Sequence, residues 1–600
     1  MKRRFIYGVL GILVASTMVM VACQPAQPTQ QGGKTVTGTV TQTTSPVATT
    51  PTTTPAKTTQ PAATGPKYGG TLTLVSGIDP LDFDQAYKTA WQSITLDYTN
   101  EPLVDPDWTK GPAGTKEIGL GAYPQYPDKY FKGASLESWD LSNPLKWVFR
   151  VRKGAYFHNK PPVNGREMVA DDVAVTIRRM FSEPGSWLVA MPIKPKVSVQ
   201  DKYTVILEWG KFDSSMWFRI VDTIFVVPKE LVRDAQDKEN QLLRDWKNAC
   251  GTGPFMLVDW VKGSSVTFQK NPNYWGFDPF NPQNRLPYID KISTLIIPDP
   301  STSLAALRTA KLDVRTVVWA DVPNLDKSNP ELRKRELFAN YSLEMTPRTD
   351  VQPFDNKKVR QALSMAINRD VIMKDLMGGH ANYLNRFFNP FDIGVYTAYE
   401  NLPANIKETL TYNPDKAKKL LAEAGYPNGF QTSVMYVATN AQHEEVVSLI
   451  KADWEKIGVK LTLDPRESAV FTSVNYARTF PGLQIWGYGN ATALNNMDIF
   501  MSGHYSNIAG VKDAWWDQKR TEALTTADEA ARNTILKEIS SYALEQMYVI
   551  PLPSPSTFLY WQPWINQYEG SYMSGTYHYI RPFRQAWIDQ DLRFKLTGKR

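Results

Sequence analysis

The chain has 600 residues, 42% hydrophobic and 21% charged, a globular composition too long for one ordinary core, so at least two domains or lobes are expected. Of its net charge of +7, Lys2, Arg3, Arg4, Lys34 and Lys57 supply five, residues 1–66 hold no acid, and the remainder is near balance. No basic cluster with interleaved aromatics occurs, which excludes nucleic acid as an expected partner.

The chain opens with "MKRRFIYGVLGILVASTMVMVAC", a basic stretch followed by an apolar run from Phe5 to Ala22, which predicts an export signal over residues 1–22. "MVAC" resembles the lipobox of bacterial lipoproteins, with Met20 where leucine is usual; that resemblance makes Cys23 the lipidated anchor. The alternative, an uncleaved membrane anchor, has an apolar run barely long enough to span. Residues 24–66 hold 15 Thr and 7 Pro and almost no large apolar side chain, so 23–66 is expected to be a flexible tether. As a coil it reaches roughly 35 Å. Cys250 is the remaining cysteine; it has no partner for a disulfide and is expected to pack as a small hydrophobe.

Order begins at "YGGTLTLVSG", an alternating strand pattern. Ile94, Tyr98 and the segment from Pro102 to Val104 predict a short helix running into a turn. "LKWVFRVRKGAYFHN" predicts two strands around Lys153-Gly154, with Trp147, Phe149 and Val151 on one face. "MVADDVAVTIRRMF" predicts a helix with Val169, Val173, Ile177 and Met180 at helical spacing. A hairpin follows across Lys262-Gly263, then a strand in "IDKISTLIIPD" and a helix in "STSLAALRTAKLDV" started by a Ser/Thr cap. Strands alternating with helices imply a mixed α/β architecture.

The second half predicts cleaner helices. "FDNKKVRQALSMAINRDVIMKDLMGG" has Asp355 as N-cap, apolar positions Val359, Ala362, Leu363, Ala366 and Ile367, and a Gly378-Gly379 stop. In "YNPDKAKKLLAEAGYPNG", Asn413 caps, Pro414 takes the first turn and Gly425 closes. "EEVVSLIKADWEKIGVKLTL" is a helix ending at Gly458 and entering a strand.

In this order, "YGGTL", "WVFRVRKGAYFHN", "ADDVAVTIRRM", "GTGPFMLVDW", "NPNYW", "LPYIDKI", "FDNKKVRQALSMAINRDVI" and "YNPDKAKKLLAEAGYPNGF" resemble the family 5 extracellular solute-binding proteins of ABC importers, which bind peptides, nickel or oligosaccharides. The resemblance implies a two-lobed, type II periplasmic-binding-protein-like α/β fold with an extra subdomain. Lobe I would span 67–340 (the subdomain at about 105–240) and 553–600, and lobe II 341–552, with a solute enclosed between them. It implies a monomeric receptor without enzymatic activity or cofactor, exported and lipid-anchored, that delivers a peptide or peptide-sized solute to permease and ATPase subunits. The chain carries no Walker A motif of its own.

Enzyme readings are weaker. A secreted glycoside hydrolase needs two carboxylates, for which Asp97 and Glu101 are candidates, but no G-x-S-x-G elbow occurs, and His158, His380, His443, His504 and His578 are scattered without a metal-ligand spacing. A nickel role would use a metal chelated by a small molecule. In peptide-binding relatives a loop like G-W-x-x-D carries an aspartate that pairs with the peptide's α-ammonium. Here the loop is Trp486-Gly487-Tyr488-Gly489-Asn490, so Asn490 stands at the aspartate's position and Asp498 is the nearest anion. An amide cannot neutralise an ammonium, which favours an oligosaccharide or other neutral solute as the alternative to a peptide. Trp486, Tyr488, Asn490 and Asp498 from one side, and Tyr98 and Asn100 from the other, are the candidate ligand-binding residues.

Overall fold

The computed structural model describes residues 65–599 except 88–94, 113, 119–126, 190, 222, 233–241, 338–340, 384–393, 490–492 and 572–580. The expected leader, Cys23 and the expected tether up to residue 64 therefore lie outside the described residues, as does Asn490.

The first strand, Thr71–Ser76, pairs in parallel with Lys291–Ile296, which runs antiparallel to Ser265–Lys270 and through it to Phe255–Val261. Alternation buries Leu72, Leu257, Phe268 and Ile292 on one face, where Trp561, Trp564 and Ile588 from the far end of the chain complete the core. The late strand Thr557–Trp561 sits between Val314–Val317 and Arg333–Leu337.

A second core belongs to an antiparallel sheet of Leu136–Asn143, Lys146–Val151, Thr204–Glu208 and Lys196–Asp201 with the helix Ala170–Ser182 against it. Trp147, Phe149 and Val151 are buried together as their alternation predicts. The arm after Gly154 is not a strand: Tyr156 forms one isolated bridge with Glu167, because Lys146–Val151 already has a partner on each edge. Val169 precedes its helix as N-cap, while Val173, Ile177 and Met180 make the buried stripe.

The third core packs on a five-stranded sheet ordered Lys460–Arg466, Gln431–Val437, Leu483–Gly489, Tyr341–Pro347, Ile550–Pro551. Its first three strands are parallel, Tyr341–Pro347 runs against them, and Ile550–Pro551 in turn runs against Tyr341–Pro347. Helix caps differ from expectation at two places, by one residue and by two. Asn356, not Asp355, caps Lys357–Met365 by accepting from Lys358 N at 2.9 Å. Asp299, not a Ser or Thr, caps Pro300–Arg308, because Pro300 occupies the first helical position and the cap must precede it. The expected continuous helix after 356 is interrupted at Ala366: Asn368 caps a new turn, and the Arg369 guanidinium, buried, binds the carbonyls of Ser364, Leu410 and Pro551. Asn413 and Gly425 bound their helix as predicted.

Candidate functional site

In open α/β sheets, ligands bind in the crevice beyond the carboxyl ends of the parallel strands. Here that edge lies past Val437, Arg466 and Gly489. Two helices begin there, each with a capped N-terminus. Asn440 accepts from His443 N at 3.1 Å, and Glu467 accepts from Ala469 N at 2.9 Å.

The strand Leu483–Gly489 has two different faces. Leu483 and Ile485 enter the main core, while Trp486 points the other way, stacked on Phe471 with ring centroids 4.9 Å apart and edge-on to His443 at 6.2 Å. One face of Trp486 is therefore already covered, and its ring is half-buried. Tyr488 lies on the same strand opposite Ser342, close to the carboxyl edge, and its side chain is outside the described residues, as is Asn490.

Sequence reasoning missed Glu344. It pairs in register with Trp486, is 1% exposed, and accepts from Thr346 Oγ1 at 3.4 Å. Period two puts Ser342, Glu344 and Thr346 on one face and the core residues Leu343 and Met345 on the other. The signal was legible in "YSLEMTP", where a lone carboxylate interrupts a strand whose neighbours are apolar.

Asp498 sits in the turn Met497–Phe500 and is not a solvated residue. Its Oδ2 accepts from Arg219 Nη2 at 3.1 Å, and its Oδ1 from Arg520 Nε at 2.7 Å. Nearby, Ser214 N donates to Leu524 O at 2.9 Å. A cavity of about 310 Å³ opens beside these contacts, walled by Trp147, Trp217 and Phe218 on one side and by Ala527, Glu529 and Arg532 on the other.

Tyr98 and Asn100 do not join this group. Tyr98 is wholly buried, its ring stacked on Phe268 at 4.1 Å and 7°, with no face left for a solute. Asn100 is 3% exposed and donates to Val226 O at 2.9 Å while accepting from Thr99 Oγ1 at 2.7 Å. The candidate hydrolase carboxylates are also occupied. Asp97 accepts from Arg581, and Glu101 accepts from Tyr274 Oη at 2.7 Å and from Trp275 Nε1, with Arg584 at 3.8 Å. Burial raises the Glu101 carboxyl above its ordinary value, although Arg584 and the two hydrogen bonds oppose this.

Cys250 is buried beside His158 O, and burial pushes its thiol up to about 12, so it is no nucleophile. Among the described residues no group of three His, Cys, Asp or Glu is placed to hold a metal.

Comparison with known proteins assigns this architecture. The family described as bacterial extracellular solute-binding proteins, family 5, matches residues 131–508. The glutathione-binding protein GsiB of Salmonella paratyphi A is 30% identical over 485 residues, which are 78% of this chain and 89% of that protein. Heme-binding protein A of Haemophilus influenzae is 26% identical over 461 residues, 72% of this chain and 81% of its own. The solved structure of the oligopeptide-binding protein AppA of Bacillus subtilis, in complex with a nonapeptide, shares the α/β fold with a TM-score of 0.67 at 22% identity, covering 87% of this chain and 100% of that one. The chain therefore belongs to the family 5 bacterial extracellular solute-binding proteins, and is a substrate-binding protein of an ABC importer rather than an enzyme.

Proposed function

We propose that this protein captures peptides at the carboxyl edge of the five-stranded sheet and hands them to permease and ATPase subunits of the importer. The observation that carries the reading is Glu344: a buried carboxylate in register with Trp486, three residues before the strand end at Gly489. A buried ammonium without a counter-charge costs several kcal/mol, and Glu344 supplies the anion that Asn490 lacks. Trp486, Tyr488 and Asn490 then contact the remainder of the peptide. The ligands of two of the relatives, glutathione and a nonapeptide, agree with this class, while a third relative binds heme.

Two lobes close on the solute in this reading, one of residues 67–340 and 553–600, the other of 341–552. Its support is that Tyr341–Pro347 and Ile550–Pro551, where the chain would cross, run side by side, with Glu344 opposite Pro551 and Met345 opposite Ile550. Such paired crossings make a hinge that bends without unravelling either core. Cys23 carries the lipid, and the 23–66 tether lets the receptor stand off the membrane.

The test is to purify the full chain and identify co-purifying solutes by mass spectrometry. Peptides are expected; a defined saccharide would support the neutral-solute reading that Asn490 favours and overturn this one. Glu344→Gln should weaken binding of a peptide with a free amino terminus at least about tenfold and leave an N-acetylated peptide unaffected. Cys23→Ser should release the protein from membranes, and retention would refute the lipid anchor.

A further inference from the structure

A cavity of about 810 Å³ lies away from the site above: none of its lining residues comes from 341–552. Its walls carry Arg152, Lys153 and Arg285 with Tyr156, Trp275 and Phe277, and no carboxylate lines it. The cations are held by backbone carbonyls and aromatic rings rather than by contact ion pairs. Arg152 Nε and Nη2 donate to the carbonyls of Ala134 at 2.6 Å and Gly133 at 2.8 Å, and its guanidinium lies 4.0 Å over the Trp275 ring. Arg285 Nη1 donates to Tyr274 O at 2.7 Å, with its guanidinium over Phe277 at 5.1 Å. Lys153 lies over Tyr203 at 5.3 Å. Among the described residues none of the three makes an ion pair at contact distance, although Glu101 and Glu137 act on Arg152, and Asp201 on Lys153, from farther off. The nearby Glu167 is already engaged by Gly154 N, Lys202 and Tyr203.

Two rings on the wall remain in solvent: Tyr156 is 44% exposed and Phe277 49%. An adjoining chamber of about 310 Å³ shares Arg152, Trp275 and Phe277. There Lys132 pairs with Asp107 and Arg584 with Asp105, yet Nε and Nη2 of Arg584 are buried without a hydrogen-bond partner. A wall of cations and exposed aromatic faces with no carboxylate in its lining suits one kind of occupant, because the charge draws an anion and the rings draw a flat apolar body.

We infer that this cavity is a second binding site, separate from the transported solute's, for a small organic dianion with a planar aromatic body. Its volume falls in the range of small-molecule sites. Arg152 and Arg285 grip the anionic groups from guanidiniums already fixed by backbone carbonyls, Lys153 adds a mobile charge at the rim, and Phe277 and Tyr156 cover the rings.

The probe is naphthalene-1,5-disulfonate, titrated into the full-length protein by calorimetry at low salt, with 2-naphthalenemethanol as the uncharged control. Saturable binding of one disulfonate per chain is expected, weakening as salt rises, with none for the alcohol. The double variant Lys153→Gln, Arg285→Gln should weaken it at least about tenfold. Phe277→Ala, at an exposed position where folding is not at stake, should weaken it as well. Glu344→Gln should leave it unchanged, which separates this site from the solute site. The inference is overturned if the disulfonate does not saturate, if the double variant binds as the parent does, or if the alcohol binds equally.

Discussion

His158 and His443 are held neutral by burial, which lowers each to about 4. His158 makes a 3.1 Å hydrogen bond through Nε2 with Gly253 O, whereas His443 Nδ1 is buried with no partner. Both folded values lie below the unfolded value near 6.5, so between those limits the unfolded chain binds more protons. Stability is then full above about pH 6.5 and falls as pH drops toward 4, by roughly 2 kcal/mol per histidine at pH 5. Urea unfolding at pH 7 and pH 5 should show this loss, and His443→Leu should remove about half of it at little cost at pH 7, since no hydrogen bond is given up. An unchanged difference in the variant would refute the assignment to His443. Partners at this scale were poorly legible in the sequence. Asp498 could be read as an anion near the loop, but Arg219 lies 279 positions away and nothing local announces it. Tyr98 was misplaced for the same reason, because the ring that covers it, Phe268, belongs to a strand whose approach only the fold determines.

Local punctuation was much more legible, because caps and turns are decided within a few residues. Asn413-Pro414, Gly425 and Gly263 stand where their chemistry predicts. The errors at Asp355 and at the Ser/Thr cap expected from Ser301 onward were choices between capping side chains one and two residues apart. What spacing alone does not show is why "GTGPF" needs its glycines. A Cβ on Gly251 would lie 2.2 Å from Thr99 O, and one on Gly253 2.6 Å from the Thr99 carbonyl carbon, so the segment leading into the hairpin lies directly on the backbone of the short helix Leu96–Thr99. Neither obstacle is a side chain that can swing away. Gly253→Ala should therefore cost about 3 kcal/mol in chemical denaturation. Gly154→Ala is the contrast: that position is open, and only its φ of +71° opposes a side chain, for a cost of about 1 kcal/mol. Equal losses would mean that close approach is not what the motif provides.

On the scale of the whole molecule, the contacts between 213–219 and 498–532 join the two lobes of the proposed reading. Ser214 meets Leu524 and Ala523 through backbone carbonyls, and Arg219 meets Asp498 with both side chains about nine-tenths buried. Asp498 is held from its own side by Arg520, so the two arginines are not equivalent. Asp498→Asn leaves both guanidiniums buried without their anion and should destabilise the protein by about 3 to 5 kcal/mol. Arg219→Gln leaves Asp498 paired with Arg520, so what it removes is attraction across the interface. Its effect should be on the balance between closed and open forms more than on folding. If the closed form is the one that binds, apparent affinity falls in proportion to its population. A loss of about 1.4 kcal/mol of closing energy lowers the closed-to-open ratio about tenfold and weakens solute binding by up to that factor. Small-angle scattering of the solute-free variant should give a larger radius of gyration than the parent, solute should restore the compact form, and the midpoint in urea should move little. If the variant keeps the parent's radius and affinity but loses stability, Arg219 and Asp498 are an internal strut and the lobes do not part along this line.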